Sequence, residues 1–176
     1  MNKQAPAVHD LQLRHYSQDP DFAFDRTLDY SGKLKRWDKP SGFWVSVLGE
    51  DDWKTWCQAE DFRTGSLDNE HTVTLAPEAR ILLIDTLEGL HRFTRLYDCT
   101  PAADTRRYGW RGDRIAWDHL VNFYDGIIIA PYQWPARLAN ETAWYYGWDC
   151  ASGCIWNLEA IRTVEPASLM FVDGTR

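Results

Sequence analysis

Three short segments of this sequence set polar side chains inside apolar or aromatic runs: Arg14-His15-Tyr16-Ser17, Gly42-Phe43-Trp44-Val45-Ser46 and Gly147-Trp148-Asp149-Cys150-Ala151-Ser152-Gly153. A polar group in such a run costs free energy unless it is hydrogen-bonded or put to use. Together they supply an imidazole, a hydroxyl and a carboxylate. Each residue also has an ordinary structural use. A strand histidine can bond a carbonyl, a serine can bond neighbouring backbone, and an aspartate before Ala-Ser-Gly can open a turn.

In this order the segments resemble the three signature regions of the ADP-ribosyltransferase superfamily: a first strand carrying His or Arg, a second with a Gly-aromatic-x-Ser pattern, and a later strand carrying an acid. The resemblance spans more than half of the chain as spaced segments. It implies an ADP-ribosyltransferase-like fold, NAD as substrate, and transfer of ADP-ribose to a macromolecular acceptor, a protein sooner than a nucleic acid. By that resemblance His15 contacts the ribose or adenine side of NAD, and Ser46 braces the nicotinamide wall. Trp44, Tyr145 and Trp148 sandwich the ring, and Tyr16, Ser17 and Gly42 complete the NAD-binding set. Asp149 is the catalytic acid, since the bond to nicotinamide breaks through a transition state with oxocarbenium character that a nearby carboxylate favours over the ground state. Most of the superfamily has Glu there, whereas some branches, an anti-CRISPR one among them, use Asp; Glu141 and Glu159 are the other acids in range. The resemblance also points to a phage setting.

Residues 105–114 hold four arginines and two aromatics in an otherwise acidic chain. Read as a loop, they place Arg106, Arg107 and Arg111 to grip the NAD pyrophosphate or an acceptor, or simply to sit solvated and paired with nearby acids. A second enzymatic reading takes Cys150 as nucleophile with His15 or His119 as base, although neither a glycine-rich elbow nor a helix N-terminus is there to activate the thiol. A non-enzymatic reading makes the chain a phage or bacterial inhibitor module that binds a protein through a Trp- and Arg-rich surface.

The elements that must position these residues follow from periodicity. Residues 11–17 read as a strand with Leu11, Leu13, His15 and Ser17 on one face and Gln12, Arg14 and Tyr16 on the other. Residues 30–39 read as a loop and residues 42–48 as a second strand, followed by a short amphipathic helix bearing Trp53, Trp56 and Cys57. Residues 71–75 and 80–84 read as strands. Asp85 and Glu88 then form a capping box for a helix running to Tyr97 with Leu87, Leu90, Phe93 and Tyr97 as its stripe. A helix over 113–124 carrying Ala116, Leu120 and Phe123 inward leads into a buried strand at 125–130. Further strands are expected at 142–149, 152–157 and 168–172. Without strict alternation of strand and helix, the expected class is α+β: one domain over 1–176 with a small, mixed, mostly antiparallel split sheet flanked by helices.

Composition bounds the rest. At 176 residues with 44% hydrophobic and 26% charged, the chain is that of an ordinary globular domain. The net charge of -7 argues against whole-surface attraction to nucleic-acid phosphates. Ten tryptophans are several times the usual number, most of them expected in the core and the rest walling a site for a flat ring. Cysteines at 57, 99, 150 and 154 are unevenly spaced and read as reduced thiols of a cytoplasmic protein. With no second ligand pair among the five histidines, no metal site is expected. No apolar run approaches membrane-spanning length, and residues 1–10, expected to be flexible, lack the pattern of a signal peptide.

Overall fold

The structure is a computed structural model that describes residues 7–34, 39–109 and 112–167. Its centre is one seven-stranded sheet. In chain order the strands are β1 (Leu13–Tyr16), β2 (Phe43–Val47), β3 (Glu70–Leu75), β4 (Ile81–Ile84), β5 (Gly126–Ile129), β6 (Ser152–Ile155) and β7 (Ile161–Pro166). Their spatial order is β4-β5-β6-β2-β1-β3-β7. Only the β4/β5 pair is parallel, so the mixed, mostly antiparallel α+β class expected from the sequence is the one observed. The helices are α1 (Trp53–Ala59), α2 (Leu87–Tyr97), α3 (Ala102–Tyr108) and α4 (Trp117–Leu120). No helix among the described residues is long and apolar enough to cross a membrane.

The apolar run at Ile127, Ile128 and Ile129 forms the central strand because both of its faces are covered, and all three side chains are fully buried. Gly153 opposite is needed for this packing: a Cβ there would lie 2.5 Å from the Ile127 carbonyl oxygen. On one face of β5 and β6, Phe93 of α2, Trp117 of α4 and the rings of Trp144, Tyr145 and Trp148 stack edge to face and face to face. Even the polar ends there are satisfied. The Trp144 indole N–H donates to the Thr94 hydroxyl at 2.8 Å, which donates to the Leu90 carbonyl at 3.0 Å.

Several local expectations are corrected. The cap of α2 is Thr86, one residue later than the expected Asp85, because Thr86 takes the extended conformation and its hydroxyl accepts from the Gly89 N–H at 3.1 Å. The helix expected over 113–124 shrinks to α4: the chain before it stays extended to bridge Ile115 to Asp98, so the helical period is lost. Trp117 takes the inward place and Phe123 is 62% exposed. Residues 142–149 form no strand. Asn140–Gly147 is 3₁₀ helix kinked at Thr142; it buries Tyr145 and packs Trp144 against the core, and that packing is what β-propensity scales largely report, while Tyr146 stays exposed. The segment 105–114 is no continuous loop, since α3 begins straight after Pro101 and carries Arg106 and Arg107. Strand β7 was not anticipated, and the strand expected at 168–172 lies outside the described residues.

Candidate functional site

The ladder between β1 and β2 is short. Leu13 pairs with Val47 and Arg14 with Ser46, and beyond that point the strands are no longer paired. Where the next bond would fall, the His15 Nδ1–H lies 2.9 Å from the Trp44 carbonyl oxygen. A cavity of about 350 Å³ opens here, within the range of small-molecule sites.

Its floor is sheet. Arg14 and Tyr16 of β1, Trp44 and Ser46 of β2, and Ser152 of β6 line it, as alternation requires for residues on one face. Trp53 of α1, with Arg63 and Ser66 beyond that helix, and Gln18 form one wall. Lys39, Asp149 and Cys150 form the other. The start of α1 is fixed by two oxygens: the Asp52 carboxylate accepts from the Thr55 N–H at 2.8 Å, and the Ser46 hydroxyl accepts from the Trp53 N–H at 2.9 Å. Ser46 thereby ties the sheet floor to the helix that carries Trp53.

Among the described residues Asp149 is the one carboxylate that lines the cavity. Lys39 Nζ stands 3.6 Å and Arg137 Nη2 3.9 Å from its two oxygens, distances of charge attraction without a short hydrogen bond. Lys39 Nζ also lies 5.2 Å from the centre of the Trp44 ring. Arg14 is committed to Glu70 at 2.8 Å, which Lys54 joins at 3.6 Å. The Tyr16 hydroxyl is buried with no hydrogen-bond partner among the described residues. Burial, with the nearby Glu70 charge, pushes its ionisation well above the ordinary phenol range, so it reaches neutral pH as an intact O–H awaiting a partner.

The structure therefore gathers His15, Tyr16, Trp44, Ser46 and Asp149 around one cavity. It corrects how His15 takes part. Its ring lies on the face opposite Arg14 and Tyr16, stacked on Phe43 at 4.2 Å and near Phe22 at 4.9 Å. Burial, partly offset by the bond to Trp44 and reinforced by His71, lowers its pKa. This neutral imidazole closes the gap between the strands from behind. Ser17 is buried and off the cavity: its hydroxyl accepts from the Asp19 N–H at 3.0 Å and shapes a turn. Gly42 does not line the cavity either; it is glycine because a Cβ would meet Cys154 Sγ and the Ile155 carbonyl oxygen, each at 2.6 Å.

Tyr145 and Trp148 are fully buried core rather than cavity wall. Trp148 packs behind Trp44 at 4.9 Å, and the Tyr145 hydroxyl accepts from the Gln133 N–H at 3.1 Å. Arg106 and Arg107 are exposed on α3 and do not line the cavity, while Arg111 lies outside the described residues. Of the other acids, Glu141 is exposed and Glu159 pairs loosely with Arg26 at 3.8 Å; neither lines the cavity. Among the residues missed in the sequence are Arg14, Gln18, Lys39, Trp53, Arg63 and Ser66. For Arg14 the signal was present, since a strand that buries Leu13 must turn residues 14 and 16 to the other side.

Cys150 is buried, and desolvation pushes its thiol up to about 12 against a weaker opposing bond from Ser152. It is thus a protonated thiol at neutral pH, which argues against the nucleophile reading. Cys57 and Cys154 are also buried, while Cys99 is half-buried. Iodoacetamide applied to the folded protein at pH 7.5 is expected to label Cys99 first and to reach Cys150 only after denaturation. Mapping the label by peptide mass would reveal early modification at Cys150 if its thiol were activated after all.

Comparison with family models, with curated proteins and with solved structures finds no match for this chain.

Proposed function

We propose that the protein is an ADP-ribosyltransferase that moves ADP-ribose from NAD to a macromolecular acceptor, a protein sooner than a nucleic acid. The observation that carries this reading is the convergence of Tyr16, Trp44, Ser46 and Asp149, drawn from three distant segments, on one cavity whose acid is Asp149. Aromatic walls, one carboxylate and several cations match a ligand with a flat ring, a reacting sugar and phosphates.

In this reading Trp44 and Trp53 flank the nicotinamide and keep water from it, and Ser46 holds Trp53 in register. The bond between the ribose C1′ and the nicotinamide nitrogen breaks with both electrons leaving on nicotinamide, which departs neutral. Positive charge then grows on the ribose, where the Asp149 carboxylate stabilises it more than it stabilised the bound ground state. An acceptor lone pair forms the new bond to C1′, and the acceptor gives up its proton to solvent. The Tyr16 O–H is a ready donor to a ligand oxygen.

A binding module built on an exposed tryptophan surface receives less support. Among the eight described tryptophans, Trp117, Trp148 and Trp156 are buried, four are half-buried, and Trp134 is exposed.

Incubating the protein with NAD labelled in the adenylate half, in a lysate of its source cell, tests the proposal. The expected result is nicotinamide release together with label on a macromolecule that survives denaturation. Intact NAD and an unlabelled lysate would remove the enzymatic reading.

A further inference from the structure

We infer that Arg63 is the anion-binding residue of this cavity and sets its preference for phosphate-bearing ligands over nucleosides. Among the described residues three cations, Arg14, Lys39 and Arg63, line the cavity, and two stand beside acids: Arg14 by Glu70 at 2.8 Å and Lys39 by Asp149 at 3.6 Å. Among the described residues no carboxylate pairs with Arg63. Arg63 is thus the cavity-lining cation that has no acid within ion-pair distance among the described residues.

That charge is also held in place. The guanidinium lies over the Phe62 ring at 4.9 Å, and Phe62 is itself wedged edge-on against Trp53 at 6.0 Å and Trp56 at 5.5 Å. With its amide oxygen facing the guanidinium, Gln18 accepts from Nη1 at 3.0 Å and from Nε at 2.9 Å. This fixes one edge of the fork, and among the described residues nothing bonds the Nη2 hydrogens, which suits an arginine waiting for an oxyanion. The backbone accepts strain to do it: Asp61 and Arg63 both have φ of +49°, a left-handed conformation costing roughly 1–2 kcal/mol in a residue with a side chain. The same turn seats Phe62 and aims Arg63, so the strained residue is the one whose side chain enters the cavity. Anion and aromatic wall together describe a nucleotide phosphate beside its ring, and in this respect the inference rests on the nucleotide part of the reading above.

Calorimetric titration with ADP and with adenosine tests it without any turnover. Arg63→Ala is expected to weaken ADP binding about tenfold or more, the worth of a charged hydrogen bond, and to leave adenosine unchanged. Arg63→Lys should recover only part, because an ammonium cannot stack on Phe62 and bond Gln18 twice. Arg63→Gly relieves the left-handed backbone, so it should lose ADP binding while Tm stays within about 2 °C, which separates ligand contact from a folding role. Equal ADP affinity in wild type and Arg63→Ala overturns the inference, as does a wild type that does not bind ADP. The two proposals fail separately. Arg63-dependent ADP binding without NAD cleavage removes the transferase and keeps the anion site, whereas NAD cleavage with an unchanged KM in Arg63→Ala does the reverse.

Discussion

For the proposed transferase, Asp149→Ala is expected to slow nicotinamide release from NAD by about 10²–10³-fold or more while leaving Tm within a few degrees of wild type. The size follows from position. Among the described residues Asp149 is the one carboxylate lining the cavity, with no second acid there to take over its charge. A hundredfold to thousandfold loss corresponds to about 2.7–4 kcal/mol of transition-state stabilisation, a usual figure for one electrostatic partner in a partly dry site. The small stability effect follows from the contacts that would be lost. Both of its ion pairs, 3.6 Å to Lys39 and 3.9 Å to Arg137, are long and partly exposed, and such pairs are worth about 0–1 kcal/mol. Steady-state assays on a variant checked by thermal melting would separate the two. Full activity in Asp149→Ala would place the carbocation's partner elsewhere, and a collapse of Tm would return Asp149 to the role of turn-former.

The largest effect on stability is expected at Asp125, remote from the cavity in sequence. Its buried carboxylate accepts from the Arg80 backbone N–H at 2.8 Å, Arg80 Nη2 at 2.8 Å, Arg80 Nε at 3.3 Å and the Asn157 amide at 2.9 Å. Its own carbonyl accepts from the N–H groups of Trp156 and Asn157. One side chain thus locks the entries to β4 and β5 and the end of β6. Asp125→Ala strips the partners from several donors at once and is expected to cost about 3 kcal/mol, or roughly 6–12 °C in Tm. The pH dependence has a definite sign. Burial pushes this carboxyl up, but the bonds from Arg80 and Asn157 outweigh it, and the folded-state pKa is lowered. A lowered pKa contributes stability that is present above the unfolded value of about 3.9 and is lost as pH falls through the folded value. Urea unfolding at pH 7 and pH 3 should therefore show the gap between wild type and Asp125→Asn narrowing in acid. A gap that stays constant or widens would rule out the ionised network.

Much of the frame was legible before any coordinates. Six strand positions, the helices α1 and α2 and the α+β class follow from periodicities that local physics enforces, since a strand shows alternate faces and a helix a 3.6-residue stripe. The failures share a cause. At 113–124 and 142–149 the residues had the composition of helix and strand, but Ile115 is drawn into a bridge with Asp98 and Trp144, Tyr145 and Trp148 are drawn into the core. Tertiary packing overrode local preference there.

The sequence by itself determined which residues hold unusual polar chemistry, and that Arg14 and Tyr16 face away from Leu13 and His15, because alternation along a strand is a property of the backbone alone. Only the tertiary structure decided which of them meet. Residues 14, 46 and 149 become neighbours through the pairing of β1 with β2 and of β2 with β6. Arg63 enters the cavity through a left-handed turn packed on Trp53 and Trp56. Such juxtapositions depend on long-range contacts whose partners leave no periodic trace in the chain, and the cavity exists only where two paired strands part.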